Sequence, residues 1–112
     1  MTLIIADDNA KMRATIRSII GDLATEVHEC TDGLQAVGVY DRVRPDWVLM
    51  DISMPGLDGI SATLRIRALD PNAKVVMVTD YGDAALQRAA AAAGAIGYVT
   101  KEDLFRLLDI IS

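Results

Sequence analysis

The chain of 112 residues is 52% hydrophobic and 24% charged, with one cysteine, one histidine and a formal net charge of −5. Its length allows one domain spanning residues 1–112, and its composition can bury a core. Sixteen acids against eleven bases oppose sequence-independent nucleic-acid binding, and one Cys with one His cannot form an internal disulfide or a Cys/His zinc set. The longest apolar runs are a few residues, too short to span a membrane, and no basic-then-apolar leader precedes Asp7 and Asp8, so a cytoplasmic location is expected.

Residues 2–6 form a β-branched and aliphatic run ending at Asp7, Asp8 and Asn9, which predicts a buried strand and a helix start. The helix is expected to reach about Leu23, with Met12, Ile16, Ile19, Ile20 and Leu23 on its apolar face and Lys11, Arg13, Arg17 and Asp22 on the other. Residues 25–31 are more polar and suit an outer strand; Asp32 and Gly33 then punctuate the chain before a helix over residues 34–43. A third strand, residues 47–50, ends at Asp51, and a loop precedes a helix over residues 60–69. Residues 74–78 form a fourth strand ending at Thr79. Asp83 caps a helix over the alanine-rich residues 84–93, with Gly94 at its end. Residues 95–100 give a fifth strand, followed by Lys101 and a last helix over residues 102–111 with Leu104, Leu107, Leu108 and Ile111 on one face.

Strands alternating with helices, and apolar enough to be covered on both faces, predict a parallel α/β sheet with right-handed crossovers. In such sheets ligands bind beyond the carboxyl ends of the strands. Those ends carry Asp7, Asp8, Asp51, Thr79 and Lys101. Converging carboxylates repel by about 4 kcal/mol per pair at about 4 Å and an effective dielectric of about 20. The cluster therefore calls for a hard divalent cation, Mg²⁺ first, beside the Lys101 ammonium. A carboxylate next to Mg²⁺, a hydroxyl and an ammonium meets the needs of in-line phosphoryl transfer. Asp51, at the end of a buried strand, is the best nucleophile; Asp7 and Asp8 suit metal binding. Singly, Asp7, Asp8 and Asn9 read equally well as a helix cap, Asp51 as a turn residue and Lys101 as a solvated lysine.

Taken together, Asp7-Asp8, residues 45–51 followed by Met54-Pro55-Gly56-Leu57-Asp58-Gly59, Thr79, and residues 94–101 (GAIGYVTK) resemble the receiver domain of two-component response regulators over essentially the whole chain. The resemblance implies a flavodoxin-like (βα)5 doubly wound sheet with strand order 2-1-3-4-5. It implies that Asp51 accepts a phosphoryl group from a sensor histidine kinase. It further implies that Asp8, Asp51 and the Ser53 backbone carbonyl bind Mg²⁺ with Asp7 assisting through water, and that Thr79 and Lys101 contact the phosphoryl oxygens. Tyr98 matches the switch aromatic that turns inward with the threonine hydroxyl and alters the face made by the fourth helix, fifth strand and fifth helix, where a homodimer is an option. A signalling switch rather than an enzyme is expected, with no direct nucleic-acid contact by this domain.

Two departures stand out. Asp80 occupies a place where the family usually has a small neutral residue, adding charge near the phosphoryl entrance and supporting an alternative, a receiver-like interaction module that works without phosphate. Glu102 replaces a proline that often follows the lysine, and with residues 94–101 it matches regulators whose output is a C-terminal helix-turn-helix DNA-binding domain, absent from this chain. Transcription control is the expected output, and a stand-alone regulator remains open. A dehalogenase-type phosphatase needs a second aspartate where Ser53 stands, as its general acid. A flavin mononucleotide binder would find its phosphate repelled by Asp7 and Asp8.

Overall fold

The computed structural model describes residues 1–112. Five strands, β1 (Thr2–Ala6), β2 (Glu26–Cys30), β3 (Trp47–Met50), β4 (Val75–Thr79) and β5 (Gly97–Thr100), alternate with five helices, α1 (Ala10–Ile20), α2 (Gly33–Val43), α3 (Gly59–Leu69), α4 (Ala84–Ala93) and α5 (Arg106–Ile111). All strand pairs are parallel, and the order is β2-β1-β3-β4-β5, the expected flavodoxin-like arrangement.

Alternation along the central strands sorts the core into two layers. Ile4, Val48, Met50, Val75 and Met77 face Ala36, Tyr40, Ala62, Ile66 and Ala90 of α2, α3 and α4. Leu3, Ile5, Leu49, Val76, Val78 and Val99 face Ile16, Ile20, Leu107 and Ile111 of α1 and α5. Both faces of β1, β3 and β4 are covered, which is why those strands read as unbroken apolar runs. Cys30 of the edge strand β2 is fully buried in the first layer rather than exposed, and burial pushes its thiol up to about 11, so it stays protonated and inert. No helix is long and apolar enough to cross a membrane.

Two helices differ from expectation. α1 stops at Ile20, because Gly21 takes a positive φ of 55° and donates its N–H to Arg17, after which residues Gly21–Leu23 form a 3₁₀ turn. The last helix starts late: Lys101–Asp103 form a 3₁₀ turn whose preceding Thr100 makes no side-chain cap. In the first turn of α5, which starts at Arg106, Leu107 and Leu108 still bond to the carbonyls three residues back, at Leu104 and Phe105. Without a capping side chain, the first turns wind in the tighter form.

Reversal of the winding direction between β1 and β3 opens a crevice at their carboxyl ends. Asp7 follows β1 there and Asp51 follows β3, tied into the ladder by a bond from the Asp51 N–H to the Ala6 carbonyl at 2.8 Å.

Candidate functional site

Asn9, not either aspartate, caps α1, its side chain accepting from the Met12 N–H at 3.1 Å. Asp7 is buried and turns one carboxylate oxygen, Oδ1, to the Asn9 N–H at 2.8 Å. Its other oxygen, Oδ2, has no aligned hydrogen-bond donor although Lys101 Nζ stands 2.9 Å away. Asp8 is exposed, and oxygens of Asp7, Asp8 and Asp51 all lie within 4.8 Å of one another. The capping alternative therefore fails for Asp7 and Asp8.

Asp51 is only 5% exposed. Its position depends on the loop over residues 51–59 folding back on the strand end: the Gly59 N–H donates to the Ile52 carbonyl at 2.8 Å. A Cβ on Gly59 would lie 1.9 Å from the Asp51 carbonyl oxygen, so only glycine allows the start of α3 to seat there. Gly56 supplies the turn with a φ of 71°. Burial, and then the Asp7 charge, push the Asp51 carboxyl up to about 6, against the Lys101 ammonium and the Ser53 N–H, which favour the carboxylate. Ser53 itself is exposed.

The 3₁₀ turn after β5 brings Lys101 into the same cluster, where it donates to Asp51 Oδ2 at 3.3 Å and stands 3.9 Å from Asp80 Oδ2. Burial disfavours its charge, but the facing Asp7, Asp51 and Asp80 outweigh that and raise its pKa. One ammonium thus answers three carboxylates, with Asp8 beside them, leaving the negative charge in excess. That excess, and an Asp7 Oδ2 whose one near cation, Lys101, is shared with Asp51 and Asp80, fit a hard divalent cation with oxygen ligands.

Thr79, the last residue of β4, is fully buried, and its hydroxyl oxygen accepts the Tyr81 N–H at 3.2 Å. Tyr98 on β5 is half-buried and donates its hydroxyl to the Tyr81 carbonyl. The Tyr81 backbone therefore joins Thr79 to Tyr98, a link the sequence does not announce because it uses only the main chain.

Arg13 is the other residue sequence patterning misplaced. Expected on the solvent side of α1, its side chain is 14% exposed and reaches back to the Asp7 carbonyl, to which Nη1 donates at 2.6 Å. Its only sequence signal is an arginine just over one helical turn beyond Asp8.

A parallel doubly wound sheet with an aspartate cluster and one lysine at its switch point defines a class of proteins with a cation- and phosphoryl-suited site, and comparison with known proteins gives the family. Residues 3–112 match the response regulator receiver domain, and the chain belongs to that family. Chemotaxis protein CheY of Listeria monocytogenes serovar 1/2a is 41% identical over 102 residues, covering 90% of this chain and 86% of its own. A LuxR-family two-component response regulator from Aurantimonas sp. SI85-9A1 superposes with a TM-score of 0.90 at 34% identity, over 96% of this chain and 79% of that one. CheY in the CheX-CheY-BeF3-Mg²⁺ complex from Borrelia burgdorferi superposes with a TM-score of 0.90 at 27% identity, over 97% of this chain and 84% of that one.

Proposed function

We infer that this receiver is a phosphorylation-activated switch in which Asp51 accepts a phosphoryl group from a sensor histidine kinase. The observation that carries this reading is the buried Asp51 carboxylate at the end of β3, with Asp7 and Asp8 oxygens within 4.8 Å and Lys101 Nζ at 3.3 Å. An Asp51 oxygen forms the new O–P bond as the P–N bond of the donor phosphohistidine breaks, and the departing imidazole nitrogen keeps the electron pair and takes up a proton. With its carboxyl raised to about 6, Asp51 is mostly ionised at pH 7 and ready to attack. Asp7, Asp8, Asp51 and the Ser53 carbonyl would hold Mg²⁺, which supplies positive charge to the phosphoryl oxygens. Lys101 holds one of those oxygens, and the Thr79 hydroxyl, released from the Tyr81 N–H, turns to another.

A phosphoryl group adds about −1.5 to −2 charges. Movement of Thr79 then acts on Tyr98 through the Tyr81 backbone and changes the surface of α4, β5 and α5. That surface carries a shallow cavity of about 200 Å³ lined by Ala90, Ala91, Ala95, Ile96 and Tyr98, and Ile96 is 55% exposed beside it. Transcription control as the output is supported by Glu102 and by the likeness to the LuxR-family regulator. Chemotaxis-type control of another protein is supported by the CheY relatives. Sedimentation separates the two: a phosphorylation-linked homodimer supports the first, and a chain that stays monomeric supports the second. On either reading the site of action is the cytoplasm, where the receiver family works with its kinases.

The test is intact mass after incubation with a small phosphodonor, with and without Mg²⁺, beside Asp51→Asn. One Mg²⁺-dependent adduct, absent from the variant, is expected. An adduct retained in Asp51→Asn removes the assigned acceptor. No adduct from small donors or from kinases favours the phosphate-independent module.

A further inference from the structure

The peptide joining Asp7 to Asp8 lies just past the sheet, where its carbonyl has lost the strand partner that satisfies carbonyls within β1. Arg13 Nη1 fills that place at 2.6 Å. The same guanidinium donates through Nε to Glu29 Oε1 on β2 at 2.7 Å, and Glu29 Oε2 accepts from Arg17 Nη1 at 2.9 Å. The hydrogen bond from Arg13, then that from Arg17, hold the Glu29 carboxyl below its usual range despite partial burial. Glu29 therefore stays charged and keeps Arg13 aimed. The Asp7 N–H is tied to the Cys30 carbonyl at 3.0 Å, so the residue is held on both sides of its main chain.

From this geometry we propose that Arg13 is a positioning residue for divalent-cation binding, acting through the main chain of the acidic pair. A peptide unit is planar, so a donor on the Asp7 carbonyl fixes the plane from which the Asp8 Cα, and hence its side chain, departs. The bonds from β2 through Glu29 and Arg13 anchor that plane to the sheet. Asp8 is exposed, and no side-chain hydrogen bond holds its carboxylate, so its aim depends on the backbone beneath it. Removing a partner that orients a metal ligand typically weakens metal binding about 10- to 100-fold. The inference rests on the cation-binding reading of Asp7, Asp8 and Asp51, and its test separates the two.

Mg²⁺ affinity is measured by calorimetry on the unphosphorylated parent chain, Arg13→Ala, Arg13→Lys, Glu29→Gln and Arg17→Ala, with circular dichroism to establish that each is folded. Arg13→Ala is expected to raise the Mg²⁺ Kd about 10-fold. Arg13→Lys, which can donate to the Asp7 carbonyl but not to both partners at once, should recover part of that loss. Glu29→Gln should shift Kd about 3-fold by loosening the aim of Arg13, and supplies the answer if Arg13→Ala fails to fold. Arg17→Ala, which leaves the Arg13 bond to Asp7 intact, should stay within about 2-fold of the parent. In the metal-free protein, amide exchange of Asp8 and Asn9 should quicken in Arg13→Ala and not in Arg17→Ala. A folded Arg13→Ala that melts earlier but binds Mg²⁺ within 2-fold of the parent would show a merely structural arginine and overturn the proposal. No saturable Mg²⁺ binding by the parent overturns the site reading itself, and the Arg13 proposal with it.

Discussion

Asp80 places a negative charge at the mouth of the proposed acceptor site, and replacing it with asparagine should speed phosphoryl transfer from small anionic donors. Its Oδ2 is 3.9 Å from Lys101 Nζ, which is 3.3 Å from Asp51 Oδ2. Those distances put an incoming phosphoryl group within about 7 Å of the Asp80 carboxylate, where a unit charge costs about 0.6 kcal/mol at the dielectric of water and a dianion about 1.2 kcal/mol. Because the Asp80 side chain is 70% exposed, the water value is the appropriate one. At low salt the dianion figure corresponds to about an 8-fold faster rate in Asp80→Asn. With a Debye length of about 8 Å at 0.15 M ionic strength, the gain falls to about 2- to 3-fold. The assay is the initial rate of adduct formation by intact mass with a dianionic acyl phosphate and a monoanionic phosphoramidate, each at low and physiological salt. The gain should be larger for the dianion and should shrink with salt. An equal gain for both donors, or one insensitive to salt, would refute the electrostatic argument. No gain would remove Asp80 from the entrance altogether.

Asp51→Asn should stabilise the metal-free protein at neutral pH. The folded state holds a proton on Asp51 up to about pH 6, while the unfolded chain releases it near 3.8, so stability falls as pH rises through that window. The asparagine escapes this loss, about 3 kcal/mol at pH 7.5 and about 1 kcal/mol at pH 4.5. Thermal denaturation at both values checks it, and a variant that is no more stable at pH 7.5 would contradict the assigned burial cost. Gly59→Ala should destabilise by about 3 kcal/mol, the upper end for overpacking, because its Cβ meets the Asp51 carbonyl at 1.9 Å; urea unfolding measures this, and a loss below about 1 kcal/mol would mean that the loop yields easily. Tyr98→Ala should keep its labelling rate within about 2-fold, since the ring lies beyond Thr79, and, if the parent dimerises on phosphorylation, should weaken that dimerisation as seen by sedimentation. Loss of labelling would place Tyr98 in the acceptor site instead.

Much of this fold was legible because β1, β3 and β4 are covered on both faces, and their unbroken apolar runs ending in Asp7, Asp51 and Thr79 mark strand and strand end at once. The starts of α2, α3 and α4 were readable to within a residue, α4 from its capping Asp83 and the other two from the turn and loop before them, where Asp32 and Asp58 also accept the N–H three residues on. The first turns after β5 were misread for the same physical reason. With no such side chain at Thr100 or Phe105, only the pattern of Leu104, Leu107, Leu108 and Ile111 remained, and that spacing points to an α-helix without marking where it starts. Arg13 escaped because hydropathy periodicity sorts residues by side of the helix, whereas its long side chain runs back along the helix start to a carbonyl.

Charge ties these particulars to function. The acceptor cluster gathers Asp7, Asp8 and Asp51 against Lys101 alone, and Asp80 further divides that one positive charge. Such a site is destabilised by its own design and gains from any cation that enters. On the proposed reading the same arrangement sets the direction of the switch, because a phosphoryl group on Asp51 would make a stronger claim on Lys101 than Asp80 can, and would offer the Thr79 hydroxyl proton a charged acceptor, drawing its oxygen away from the Tyr81 N–H that it now accepts. Since Tyr98 holds the other side of that same residue, the proposed charge at the end of β3 would reach the α4-β5-α5 surface through one peptide segment, with no need for the sheet or its core to move.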